Sequence, residues 1–374
     1  MAFPSDYTLL GNLKFPTVAG SHSGFVALVK YSDFTSAMLA GLDDGGGDLR
    51  FSSDAAGVTQ LPCEIEKLDK TTSEAFIWVR VATAATDEKV YVWGDNTGDS
   101  QPSVTDSFGR NAVWVDYEGV FHLNDYSDSA GNMSDMVLFN GSTSPTQVDV
   151  DGDKGYDFGT GSTMLSSTLT TDIENSTGLF TLQIKGLKNT IDAGLNDKEP
   201  FASVAASSGT GGYDFGFEAH QDDDPKVRLI LLTPQNNDIN GSLVTSDAPS
   251  VDAPITASVM VDLANNNVDA YAFFNSAVLD VTSDAGDTFP VPLDLLGIGG
   301  RADTSPSPGN VTILDAKIRY SLLSTDYLDT EFENQSSSGP YFIATDAPTG
   351  PNTPINPSIT DLLATSARLN WEQG

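Results

Sequence analysis

The chain is short of cysteine, of basic residues, of histidine and of long apolar runs, and each shortage removes a class of protein. Cys63 is the only cysteine among 374 residues, so no intrachain disulfide can form and stability does not depend on an oxidising compartment. It sits in the strand-like run Leu61-Pro62-Cys63-Glu64-Ile65, where a buried, inert thiol is expected. Eighteen Lys and Arg face 52 Asp and Glu, a formal net charge of −34. Such a field repels nucleic acid and anionic membranes and favours solubility. The three histidines, His22, His122 and His220, have no metal-ligand spacing. No apolar run reaches the length of a membrane-spanning helix, so no membrane insertion is expected. Met1 to Asp6 shows neither a basic n-region nor an apolar h-region, so the expectation is synthesis in a cytoplasm without a classical leader.

What the chain does have is β-protein chemistry. Hydrophobic residues at 39% suffice for globular cores, and 34 Gly and 19 Pro punctuate short apolar runs. The length suggests two or three domains. Phe25 to Val29 is a continuous apolar run suited to a strand buried on both faces. Leu49 to Ser52, Ala75 to Val81 and Val90 to Gly94 are further strands, and Ser32 to Ala40 could form one short helix. In the second half, Gly178 to Lys185 alternates with period two, the mark of a half-buried strand. Tyr213 to Glu218, Val227 to Leu231, Ala257 to Asp262, Val268 to Phe274, Leu296 to Arg301 and Val311 to Tyr320 continue the series, with a tight turn expected at Asn265-Asn266-Asn267. Ser324 caps the best helix, with Tyr327, Leu328 and Phe332 on one face.

The predicted fold class is therefore all-β: two tandem β-sandwich domains, followed by an extended C-terminal segment. Residues 1–112 form the first domain and 113–345 the second. Trp114 to Tyr117 closes the first, and Val120 to Leu123 opens the second. Residues 346–357 read as a stiff Pro-rich linker, and residues 358–374 as the opening strands of a further domain.

Asp48-Leu49-Arg50-Phe51, Cys63-Glu64-Ile65-Glu66, Phe76 to Val81 and Val90 to Asp95 stand in the order and spacing of a β-sandwich family without assigned function. That family commonly precedes laminin-G-like domains in surface, secreted and phage proteins. Gly119 to Asn124, Lys154 to Gly159, Leu296 to Gly300, Leu314 to Tyr320 and Asp329 to Gln335 resemble the laminin-G-like branch of the concanavalin-A-like lectin/glucanase superfamily. Ile359 to Trp371 resembles the start of a fibronectin type III domain. The resemblances imply a jelly roll that binds glycans or proteins, often with calcium at its rim.

Two acidic stretches are the candidate calcium ligands: Asp149, Asp151 and Asp153, and the adjacent Asp222, Asp223 and Asp224. The first fails the EF-hand pattern, because Lys154 holds the glycine position and Thr160 the closing glutamate position. A structural turn and a non-EF-hand site are both open there. A solvated hairpin tip is the alternative for the second, and Asp303 could share a rim cation. Glu64-Ile65-Glu66 has the look of paired glycosidase carboxylates, but the resemblance of the first domain assigns that position to an ordinary strand. No catalytic constellation emerges, so no enzyme is expected. Trp78, Trp93 and Trp114 are placed on strands, where core packing outweighs a sugar-stacking role.

The functional expectation is a non-enzymatic virion component of a tailed phage: tail fibre, head fibre or decoration protein. It would bind host-surface glycan or other virion proteins, as a homo-oligomer. A prokaryotic surface or secreted carbohydrate-binding adhesin is the alternative, and a glycoside hydrolase of the same superfamily the third reading.

Overall fold

The computed structural model describes residues 3–139, 143–150, 152–159, 165–171, 178–188, 198–205, 214–222, 224–231, 243–244, 255–262, 267–274, 277–285, 294–300 and 310–348. The chain divides into two compact units: residues 1–103 with 337–374, and Val104–Ser336. The sequence placed these divisions at 112/113 and 345/346. The chain returns to the first unit after Ser336.

The first unit holds β1 (Thr8–Lys14), β2 (His22–Lys30), a 3-10 turn (Tyr31–Asp33), α1 (Ser36–Ala40), β3 (Arg50–Ser52), β4 (Gln60–Leu61), β5 (Cys63–Asp69), β6 (Glu74–Ala84) and β7 (Lys89–Gly94). The second holds α2 (Arg110–Val113), β8 (Gly119–Phe121), β9 (Val137–Leu138), β10 (Thr146–Val150), β11 (Asp153–Asp157), β12 (Leu165–Thr168), β13 (Leu179–Lys188) and β14 (Lys198–Ala205). It continues with β15 (Asp214–Asp222), β16 (Asp224–Leu231), β17 (Leu243–Val244), β18 (Ile255–Asp262), β19 (Asn267–Phe274), β20 (Ala277–Ala285), β21 (Leu295–Ile298), β22 (Val311–Arg319) and α3 (Thr325–Ser336). The final strand, β23 (Ile343–Asp346), belongs to the first unit.

In the first unit one sheet runs β23-β1-β7-β3-β4 and the other β2-β6-β5. Phe25 to Val29 is buried throughout, as its continuous apolar run requires. Arg50 is buried and ties two loops together. Its Nη1 donates to Gly47 O (2.9 Å) and Leu49 O (2.8 Å), its Nη2 to Ser100 O (2.7 Å), and it pairs with Asp99 at 3.3 Å. The Tyr7 phenol donates to the same Asp99, and burial together with that carboxylate pushes Tyr7 up to about 12. The helix expected over 32–40 is split. Asp33 ends the 3-10 turn, and Thr35 caps α1 by accepting from Met38 N at 3.1 Å.

Asp33 is wholly buried and holds the returning C-terminal segment. Its carboxylate accepts from Lys30 N (2.8 Å), Tyr341 N (2.6 Å) and Phe342 N (3.0 Å), and burial raises its pKa against those three donors. The Phe342 ring then packs 4.9 Å from Phe15, and β23 pairs with β1 from Gly11↔Asp346 to Lys14↔Ile343. Asp33→Ala orphans three N–H groups. We expect it to lower stability by roughly 2–4 kcal/mol, and to speed amide exchange at Tyr341 and Phe342 while β2 stays protected. Unchanged exchange at those two amides would contradict this role.

The second unit is a two-sheet antiparallel sandwich. Among the described residues one sheet runs β10-β11-β22-β13-β18-β19-β20, with β8 also pairing with β22, and the other runs β17-β16-β15-β14-β21-β12-β9. Phe180, Leu182 and Ile184 of β13, Ile313, Ala316 and Ile318 of β22, and Val259 of β18 meet Leu165, Ala202, Val204, Leu296 and Ile298 of the facing sheet in one core. The all-β sandwich architecture is as expected. Two details differ. The alternation of β13 predicted one wet face, but Thr181 and Gln183 are buried as well. Trp114, expected on a strand, instead forms the C-cap of α2.

Candidate functional site

β8 is shorter than the sequence suggested. It ends at Phe121, and Leu123, buried in the core, takes a left-handed φ of 55° that turns the chain out of the sheet. The following segment, Asn124-Asp125-Tyr126-Ser127-Asp128-Ser129-Ala130-Gly131-Asn132, is dense in turn formers. Asp128 organises it. Its Oδ1 accepts from Val120 N (2.8 Å) and Ala130 N (2.9 Å), and its Oδ2 from Asn132 N (2.8 Å) and Met133 N (2.8 Å). Met136 N donates to Tyr126 O at 2.8 Å, which ties the tyrosine backbone to the segment that follows the loop.

This loop sets Tyr126 beside Tyr156 of β11, with ring centroids 5.0 Å apart and the planes tilted by 49°. Both rings are half-buried, with their inner edges on the sandwich core. Tyr156 pairs with Gln147 of β10 and Ile313 of β22. Gly155 permits that approach, because a Cβ there would stand 2.2 Å from Ile313 O. Around the pair lie the exposed Asn124, Asp125 and Gln147, and the Gln147 amide donates to Asn124 O. Burial raises the pKa of both phenols, and Tyr126 and Asp125 add to the effect at Tyr156. Both hydroxyls therefore stay protonated, as hydrogen-bond donors, at physiological pH. The patch offers aromatic faces beside amide, hydroxyl and carboxylate groups.

A second constellation is buried on the outer face of the same sheet. β13 and β22 set Gln183 opposite Lys317, and Lys185 opposite Asp315. Lys317 Nζ lies 3.1 Å from Asp315 Oδ2 and 3.1 Å from Glu331 Oε1 of α3, and it sits 5.8 Å above the Trp114 ring. His122 Nδ1 is 3.2 Å from Asp315 Oδ1. Gln183 and Gln335 both donate to Glu331. Lys185 pairs with Asp153 at 2.7 Å at the edge of the group. Burial opposes ionisation of Asp315, but Lys317 and His122 beside it hold the carboxyl down to about 2. The two carboxylates in turn push Lys317 above the usual lysine range against its own burial. The cluster fastens α3 and the α2 segment to the sheet.

The sequence candidates fall as follows. Asp149 Oδ1 caps the β10–β11 turn by accepting from Gly152 N at 2.8 Å, and Asp153 is neutralised by Lys185. Asp151 lies outside the described residues. Asp149 thus serves a backbone N–H and Asp153 an ammonium through one oxygen each. Asp222 and Asp224 form the last pair of the β15–β16 ladder, and Asp223 between them lies outside the described residues. So do Asp303, Asn265, Asn266 and residues 349–374. Among the described residues no group of three or more His, Cys, Asp or Glu is placed to hold a metal ion. Glu64 and Glu66 both lie on β5. A register shift falls between Ile65 and Lys67, and Glu66 accepts from the indole of Trp78, the register partner of Glu64. Trp78, Trp93 and Trp114 are all buried, and Trp93 Nε1 donates to Ser52 Oγ at 2.8 Å. Cys63 is buried, and that burial pushes its thiol up to about 12, which leaves it inert. His122 is packed on Trp114, with ring centroids 5.2 Å apart, and is paired with Asp315.

Residues 45–135 match the family described as a domain of unknown function, DUF2341. The match includes Arg50 and Asp99 and runs on past the division at 103/104 through β8 and Asp128. No curated protein matches the chain. Among solved structures, the chain is similar to domain 4 of AbnA, a GH43 extracellular arabinanase from Geobacillus stearothermophilus, in complex with arabinotriose. The identity is 15%, over 57% of this chain and 98% of that one, with a TM-score of 0.42. A sialidase from Trypanosoma rangeli shares 13% identity over 74% of this chain and 43% of its own, at a TM-score of 0.43. The receptor-binding domain of a botulinum neurotoxin C/D mosaic serotype shares 11%, over 59% and 52%, at 0.42. The chain thus spans about half or less of the sialidase and toxin chains.

Proposed function

We propose that this chain is a non-enzymatic glycan-binding and structural protein of a tailed-phage virion, with the Tyr126–Tyr156 pair as its sugar platform. The pair carries the reading. Two half-exposed rings held 5.0 Å apart by a loop pinned at Asp128 form a preorganised stacking surface. The surrounding Asn124, Asp125 and Gln147 are side chains of the kind that read hydroxyl groups. A binding role rather than a catalytic one is supported by where the carboxylates go. Asp128 is taken up by four N–H groups, Asp315 and Glu331 by Lys317, and Glu66 by Trp78. The acidic surface and a chain without disulfides suit a particle assembled in a cytoplasm and released by lysis. Host polysaccharide and neighbouring virion subunits are the proposed partners.

The test is a glycan array together with a polysaccharide panel followed for reducing ends. Binding without cleavage is expected. Tyr156→Ala should weaken it about tenfold or more, while Tyr156→Phe, which keeps the ring, should retain most of it. Far-ultraviolet circular dichroism of both variants separates lost stacking from lost fold. A blank array, or full binding by a folded Tyr156→Ala, would sink the platform. Proteomics of purified particles tests the virion assignment, and absence of the chain from particles favours a cell-surface adhesin instead.

A further inference from the structure

Resting on that reading, we infer that the tyrosine platform selects sugars bearing a free amino group and turns anionic sugars away. The selecting group is Asp125. It is exposed and lies one residue from Tyr126, and its charge is felt at the Tyr156 phenol. Its Oδ1 is used locally, accepting from Ser127 N (2.7 Å) and Ser127 Oγ (2.6 Å). That pairing fixes the carboxylate's direction, while its Oδ2 accepts nothing from the described residues. A carboxylate oriented by Ser127 therefore belongs to the same loop as Tyr126, whose ring lies 5.0 Å from that of Tyr156. An ammonium group satisfies both, through a charge-assisted hydrogen bond to the carboxylate and attraction to the ring quadrupole. The rings are too close to each other to sandwich a cation, so the ammonium sits on their outer side next to Asp125. A sialic acid or uronate carboxylate placed there would meet like charge at close range, in the field of a chain carrying a net −34. A neutral sugar can still stack, but gains nothing from Asp125's charge.

The experiment compares two oligosaccharides with one backbone, β-1,4-linked glucosamine and its fully N-acetylated form, alongside a polyuronate of similar length. Affinities are measured by calorimetry at low and at high salt. The glucosamine form should bind roughly three- to fivefold tighter than the acetylated form at low salt, and the advantage should shrink at high salt. The polyuronate should bind weakest. Asp125→Asn keeps the Oδ1 acceptor for Ser127 and removes the charge, and should erase the preference for the amine. Equal affinities, a preference that survives Asp125→Asn, or tight polyuronate binding would each overturn the inference. If those results come with binding that Tyr156→Ala still abolishes, the platform stands and only its charge selectivity falls. If no glycan binds at all, both fall together.

Discussion

Lys317→Met is expected to destabilise the second unit by roughly 3–5 kcal/mol. Lys317 is the only cation contacting both Asp315 and Glu331 within 3.1 Å among the described residues, and all three side chains are almost completely buried. Methionine matches its length and keeps the packing on Trp114, so the loss is electrostatic rather than steric. Two buried carboxylates are left to repel each other, with His122 and the two glutamine amides as their remaining partners. For a domain of this size the change should appear as a fall of about 10 °C in the unfolding midpoint. Removing the charges together should behave differently. Because burying ions is itself costly, Lys317→Met combined with Glu331→Leu should recover much of the loss. A double variant no better than the single one would show that the cluster holds by shape rather than charge.

The same cluster sets an acid limit. The pKa of Asp315 is depressed in the folded state, from 3.8 to about 2. Its contribution is therefore fully present above pH 4 and is lost as pH falls toward 2. Lys317, raised in the fold, contributes below its ordinary pKa and loses that contribution only at strongly alkaline pH. A urea-unfolding series across pH 2–5 should show wild type losing stability where Lys317→Met does not.

Asp128→Ala should cost roughly 3–5 kcal/mol as well, and should abolish glycan binding at temperatures where the sandwich is still folded. Four backbone N–H groups lose their acceptor at once, three of them belonging to the loop that presents Tyr126. Asp128→Asn keeps one oxygen and should fall between wild type and alanine. The decisive readout is the pairing of effects. Binding must fall further in Asp128→Ala than in Lys317→Met at matched fraction folded, because only Asp128 positions the platform. Equal loss in the two variants would reduce Asp128 to a stability residue.

Much of the architecture was legible in the sequence because strand periodicity and turn chemistry are local. Val311 to Tyr320 became β22, and Ser324 caps α3 by accepting from Tyr327 N at 3.1 Å. What escaped was non-local. The polar face of β13 looks wet until α3, far along the chain, covers it with Glu331. Trp114 reads as a strand residue because nothing nearby shows that Lys317 and His122 will pack on it. Glu66 falls at a register shift that strict alternation does not announce. The tyrosine platform joins residues 30 apart, and its only local sign is the run of turn formers around Asp128. The Lys185 partner of Asp153 appears only once β11 is placed beside its neighbours.

The return of the chain to the first unit also bears on how the protein is made. β23 lies on one edge of the sheet that contains β1, and Asp33 waits for the amides of Tyr341 and Phe342. During synthesis on a ribosome those partners emerge only after all of Val104–Ser336. The unit that starts first therefore finishes last. Until it does, β1 offers an unpaired edge and Asp33 an unfilled acceptor, while among the described residues the strands translated in between pair only with one another. A nascent chain halted before residue 337 should carry a folded sandwich on an unfinished first unit, and that exposed edge is where such a chain would associate with others or recruit a chaperone.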